Sequence, residues 1–134
     1  PPPVVLPAER ANGDFVRQCI NAGDVTACHD ISDGGLIVAV AEMAMAGRLG
    51  ARIESPKADL PLFAWLYGED QARYVLTVEN ADSLLAKARA AGVAAMVIGR
   101  TGGESLTVDD AYTISVNELR AAHESWLPTY MAAS

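Results

Sequence analysis

Apolar and polar positions fall into short blocks along the chain, and the blocks predict helices and strands in turn. Phe15, Val16, Cys19 and Ile20 follow Asp14 at helical spacing, with Asp14 as a cap and Gly23 past the end. Val25 to Ile31 has apolar odd positions and reads as a strand that runs into Ser32-Asp33-Gly34-Gly35. Leu36 to Ala46 is apolar almost all round, with Glu42 its only charge, which predicts a short helix buried in a core. Leu49 to Glu54 reads as a strand, Ser55 to Pro61 as a loop and Leu62 to Tyr67 as a helical turn.

The second half continues the pattern. Tyr74 to Val78 alternates and is rich in β-formers; Leu84, Leu85 and Ala88 form the inner stripe of a helix from Ala81 to Ala91. Val93 to Ile98 reads as a buried strand closed by Gly99. Ser105 to Val108 and Tyr112 to Ile114 read as two strands around an Asp109-Asp110 turn. Ser115 and Glu118 match a capping box, opening a helix with Leu119, Ala122 and Trp126 inward and Pro128 at its end. Helices and strands alternate without a strict βαβ rhythm. The fold class is α+β, a mixed β-sheet of five or six strands with packed helices.

Composition narrows the function. The 134 residues suit one domain, and 51% hydrophobic against 20% charged residues exclude a disordered chain. A net charge of −7 argues against nucleic acid, whose phosphates need clustered Lys and Arg. No apolar run is long enough for a membrane span. Cys19 and Cys28 make neither a disulfide framework nor a metal motif. The Pro1-Pro2-Pro3 start, with no Met, reads as a linker or extended lead-in over 1–11 before a domain at 12–134, and the chain as a piece of a longer polypeptide.

Chemistry concentrates in two places. His29-Asp30-Ile31-Ser32-Asp33-Gly34-Gly35-Leu36 is a strand, a polar Gly-rich turn and a helix start, which aims backbone N–H groups and the positive helix end at one point. There Ser32, Asp33, Gly34 and Gly35 could receive a phosphate, and Asp30 and Asp33 a Mg²⁺ ion. Equally, the glycines permit a tight turn and Asp33 caps the helix. The second place is Glu69-Asp70-Gln71, a candidate polar-ligand site or a solvated loop that pairs with Arg73. His29 and His123 read as packing residues, Glu42 as a core-edge carboxylate with a hydrogen-bonding partner, and no catalytic triad can be assembled.

These residues carry a resemblance. Thr26 to Leu36, followed by Ala41-Glu42-Met43-Ala44, resembles the PurM/PurL superfamily of ATP-dependent synthetases. Gly68 to Tyr74, Ile98 to Gly103 and Ala122 to Met131 are similar to the last domain of the phosphoribosylformylglycinamidine synthase family. The resemblance implies an AIR synthase C-terminal domain-like fold. It also implies a cytoplasmic ligase that uses ATP and Mg²⁺ to convert formylglycinamide ribonucleotide into the amidine, with ammonia from glutamine. The implied partners are the remaining domains of the same polypeptide, a glutaminase subunit and a small accessory subunit. An isolated fragment would be inactive, with the catalytic residues elsewhere, and would pair with a second copy. In the family's first half the counterpart of Asp30 ligates a metal, and a Glu-Ser-Gln triplet matching Glu69, Asp70 and Gln71 contacts substrate. Asp70 stands here where that triplet has serine. The alternatives are a selenophosphate synthetase or thiamine-monophosphate kinase type domain, or a regulatory module binding a small molecule at Glu69 to Gln71.

Overall fold

Eleven elements follow one another in the computed structural model, which describes residues 4–56 and 60–132. They are α1 (Leu6–Asn21), β1 (Ala27–Asp30), α2 (Gly35–Gly47), β2 (Ala51–Ile53), α3 (Leu62–Tyr67), β3 (Tyr74–Thr77), α4 (Ala81–Ala90), β4 (Gly99–Thr101), β5 (Ser105–Val108), β6 (Tyr112–Ser115) and α5 (Val116–Ala132). Two compact units share them: Pro1–Val40 with Ala58–Val97, and Ala41–Lys57 with Ile98–Ser134.

In the first unit, Pro7 lies in the first turn of α1, where a missing N–H leaves no intrahelical bond unmade. The helix therefore starts well before Asp14 and takes in residues 6–11, which the sequence pattern assigns to a lead-in. Asp14 is mid-helix and pairs with Arg17 at 2.9 Å and Arg10 at 3.7 Å. Phe15, Val16 and Cys19 are buried with Ala88 of α4, and Val25, Leu76, Leu84 and Val93 pack around them. Full burial of a Phe or Val side chain contributes roughly 1.5–3 kcal/mol. Asn80 caps α4 by accepting the Ser83 N–H at 2.9 Å. Strands β1 and β3 pair antiparallel, from Ala27 opposite Thr77 to Asp30 opposite Tyr74.

The second unit holds a four-stranded mixed sheet in the order β4-β2-β5-β6. Strands β2 and β5 run parallel, and the outer pairs are antiparallel. Ala51, Ile53, Leu106 and Val108 are buried on one face, with Val116 of α5. The capping box forms reciprocally: Ser115 Oγ accepts the Glu118 N–H at 3.1 Å and Glu118 Oε2 accepts the Ser115 N–H at 3.1 Å.

The α+β class stands, with six strands divided between two sheets instead of one. Four local expectations need correction. Val93 to Val97 form no strand; the Val93 N–H instead closes the end of α4 on the Ala88 carbonyl at 2.9 Å, and pairing starts only at Ile98, whose carbonyl accepts the Glu54 N–H at 2.8 Å. Pro128 does not stop α5, because the helix is exposed there and water can take up the carbonyl that proline leaves unbonded. Trp126 is 66% exposed and stacks on Tyr130 with centroids 5.5 Å apart, instead of facing inward. His123 is exposed too, not packed at a core, whereas Glu42, exposed on α2, does have an interaction partner. Part of the expected loop, 57–59, lies outside the described residues.

Candidate functional site

Antiparallel pairing of β1 with β3 joins the two candidate patches. Because Asp30 ends β1 opposite Tyr74 at the start of β3, the turn after β1 lies beside the segment leading into β3. The ladder runs one step further, with Ile31 N–H donating to the Arg73 carbonyl at 2.8 Å. Glu69 Oε1 then accepts the Gly34 N–H at 2.8 Å.

The glycines of the turn are required by space as well as by angle. Gly35 holds φ +73°, and a Cβ there would come within 2.7 Å of the Leu66 carbonyl oxygen and the Tyr67 backbone. Gly34 holds φ +83° with Val38 against it. The Gly35 N–H donates to the Ser32 carbonyl at 3.0 Å. Both glycine amides expected to meet a phosphate are thus engaged within the chain, one by a turn and one by a carboxylate.

A cavity of about 600 Å³ opens beside this turn. Asp30, Ser32, Asp33, Glu69 and Gln71 line it, while Gly34, Gly35 and Asp70 do not. Asp70 instead faces Arg73, at 3.7 Å. Arg73 also donates to the Gly68 carbonyl at 3.3 Å, so the cation on the cavity wall is already engaged. Ala72 on the wall holds φ +55°, a left-handed conformation that costs an alanine about 1–2 kcal/mol, and Asn12 Nδ2 donates to its carbonyl at 3.1 Å.

Glu9 is the wall residue that the sequence pattern misses. Its Oε1 is buried without a hydrogen-bond partner among the described residues. Proline followed by glutamate is a helix-start signal, so Pro7 and Glu9 carried the clue that α1 begins here.

Four carboxylates, Glu9, Asp30, Asp33 and Glu69, therefore share one cavity. Among the described residues no three His, Cys, Asp or Glu side chains come close enough to form a metal cage. Asp30 and Asp33 fit the way Mg²⁺ is commonly held, by one or two carboxylates with phosphate oxygens and water completing the shell. His29 is half-buried and its Nδ1–H donates to the Asp30 carbonyl at 2.6 Å, in keeping with a packing histidine. Desolvation and then the Asp30 carboxylate push the Cys28 thiol up, which makes it a poor nucleophile.

Known proteins give this geometry its context. The family described as AIR synthase related protein, C-terminal domain, matches residues 2–110. The phosphoribosylformylglycinamidine synthase subunit PurL of Parvibaculum lavamentivorans is 57% identical over 99% of this chain, which spans 18% of that relative's length. Among solved structures, Thermotoga maritima PurL with ADP is similar at TM-score 0.73, with 22% identity over 87% of this chain and 22% of that one. The Thermotoga maritima PurLQS structure is similar at TM-score 0.74, with the same identity and coverage. At that identity the two structures speak for the fold, and the family match spans most of the sequence. The chain belongs to the AIR synthase related protein family, as a C-terminal domain of that family.

Proposed function

We propose that this chain is the C-terminal domain of a phosphoribosylformylglycinamidine synthase of purine biosynthesis. That enzyme is an ATP-dependent ligase which converts formylglycinamide ribonucleotide to formylglycinamidine ribonucleotide with ammonia from glutamine. Identity of 57% to a PurL subunit across 99% of the chain carries the reading. The same relationship favours this ligase over a selenophosphate synthetase or thiamine-monophosphate kinase. The chemistry lies outside these residues, so the chain alone turns over nothing. In the cell it works in the cytoplasm beside the other domains of its polypeptide, a glutaminase subunit and a small accessory subunit; the Thermotoga maritima PurLQS assembly supports the complex.

Within the domain, the cavity between the β1–α2 turn and the β3 entrance is the nucleotide-facing site. Ser32 faces a phosphate at the start of α2, joined by the Gly34 N–H once Glu69 releases it; Asp33 reaches the phosphate through the magnesium ion, and Gly35 keeps the turn closed. Asp30 would hold Mg²⁺, whose charge offsets that of the phosphate. Gln71 presents an acceptor and a donor to the polar part of a ligand, Glu69 holds the turn closed through the Gly34 N–H until a ligand displaces it, and Asp70 acts through Arg73. With four carboxylates on the wall, a bare phosphate is repelled, and a nucleotide enters as its magnesium complex.

Calorimetric titration of the chain with Mg·ADP, beside an Asp30→Asn, Asp33→Asn double variant, tests the site. Binding that requires magnesium and is lost in the variant is expected. Equal binding by both proteins, or binding of ADP without magnesium, would overturn it.

A further inference from the structure

Strands β2 and β4 set two arginines directly opposite each other. The antiparallel register pairs Arg52 with Arg100, between Ala51 opposite Thr101 and Ile53 opposite Gly99. Ala51 and Ile53 are buried and Arg52 is exposed, so Arg52 lies on the solvent face of the sheet, with Arg100 exposed beside it. Like charges directly opposite on neighbouring strands destabilise the pair. Local rules of this kind are broken at functional sites and offset elsewhere in the structure.

Compensation within the chain is partial. Arg52 meets the Asp110 carboxylate through Nη2, whereas Arg100 has no carboxylate partner among the described residues. Two cations thus share one anion, in a chain whose overall charge is −7. The parallel register continues the row from Arg52 to Thr107, and the next pair takes it to Thr113, whose hydroxyl is 3.1 Å from that of Thr107. Four neighbouring strands therefore carry two arginines and two threonines in one row of register positions. The backbone beneath is fixed tightly: a Cβ on Gly99 would collide with the Arg52 carbonyl oxygen, and one on Gly50 with the Ser105 backbone.

We infer that Arg52 and Arg100 form an anion site for the phosphate group of a small phosphate monoester, independent of the cavity described above. One guanidinium fork matches a carboxylate. Two adjacent forks match a dianion with three terminal oxygens, as a phosphate monoester has. Asp110 is the resident competitor for Arg52, and the Thr107 hydroxyl stands next in the row. An exposed site of this kind binds weakly, with a Kd on the order of 1 mM.

The test follows backbone amide and arginine Nε–H resonances of the full chain at pH 7.5 and fixed ionic strength. The probes are inorganic phosphate, glycerol 3-phosphate and succinate. Saturating shifts at Arg52, Arg100 and Thr107 are expected with both phosphates, and succinate binds about tenfold more weakly or worse. Arg100→Gln weakens phosphate binding by about tenfold or more, since a charge-assisted hydrogen bond is lost. Asp110→Asn, which keeps a residue suited to φ +55°, strengthens it by removing the competitor. Shifts that never saturate, equal affinity for succinate, or an unchanged response in Arg100→Gln would overturn the assignment. Shifts confined to Asp33–Leu36 would overturn it as well, while placing the phosphate in the cavity site.

Discussion

The Glu69 carboxylate sits 2.8 Å from the Gly34 backbone nitrogen and accepts its N–H. A side chain from the β3 entrance thereby occupies the amide that a phosphate at the start of α2 would use. The turn is held in place by the same contact that competes with a ligand. Glu69→Ala should therefore bind Mg·ADP several-fold more tightly than wild type in calorimetry, at a cost of about 1 kcal/mol or less in stability. Unchanged or weaker binding would remove Glu69 as a competitor.

Gly35 is predicted to be irreplaceable for steric reasons. Gly35→Ala meets both φ +73° and the Leu66–Tyr67 backbone at 2.7 Å, and should lose about 2 kcal/mol or more in urea denaturation. Gly47→Ala, at the end of α2 with nothing within 4 Å, should be neutral or gain up to about 1 kcal/mol. Equal effects at the two sites would contradict the close approach.

Ala72 stores strain on the cavity wall at φ +55°. Ala72→Gly should relieve it and stabilise the chain by about 1 kcal/mol, less the entropy that glycine adds to the unfolded chain. A destabilised variant in the same denaturation assay would show that the alanine methyl packs usefully.

Acid should unfold the chain partly through two turn carboxylates. Asp109 lies below its usual value because Ser55 Oγ and N–H donate to it at 2.6 and 2.7 Å; Glu118 is lowered by Ser115 in the same way. A depressed folded pKa gives stability that is present above the ordinary values, 3.8 for Asp109 and 4.5 for Glu118. That stability is lost as pH falls through the lower folded values. An Asp109→Asn, Glu118→Gln variant should show a flatter decline in melting temperature below pH 4.5 than wild type. Parallel curves would refute the linkage.

Exposed apolar side chains on α5 predict self-association. Trp126, Leu127, Tyr130 and Met131 are each more than half exposed, between 58% and 66%. Light scattering across a concentration series should show dimers or larger species, and Trp126→Ser with Leu127→Ser should shift them to monomer. A wild-type monomer at every concentration would contradict this.

Periodicity made much of the architecture legible, because helices such as α4 and strands such as β5 bury one stripe or face. It failed where burial was not the deciding force. Val93 to Val97 has a strand composition yet pairs with no strand among the described residues. The start of α1 was hidden because its first turns are exposed, leaving only Pro7 and Glu9 as signals. Of the site, Asp30 to Gly35 and Glu69 to Gln71 were recognisable by residue type. Their meeting depends on the β1–β3 register, as the Arg52–Arg100 pair depends on β2–β4. Register is a tertiary property, and no single strand encodes its partner.

The most direct test of the account grafts this chain in place of the matching segment of Parvibaculum lavamentivorans PurL. Formylglycinamidine ribonucleotide formation is then measured with ammonia as nitrogen donor. The account predicts an active chimera, with kcat within about tenfold of the parent, because a domain without catalytic residues leaves the barrier of the chemical step largely unchanged. A chimera that folds and binds ATP but forms no amidine would contradict it.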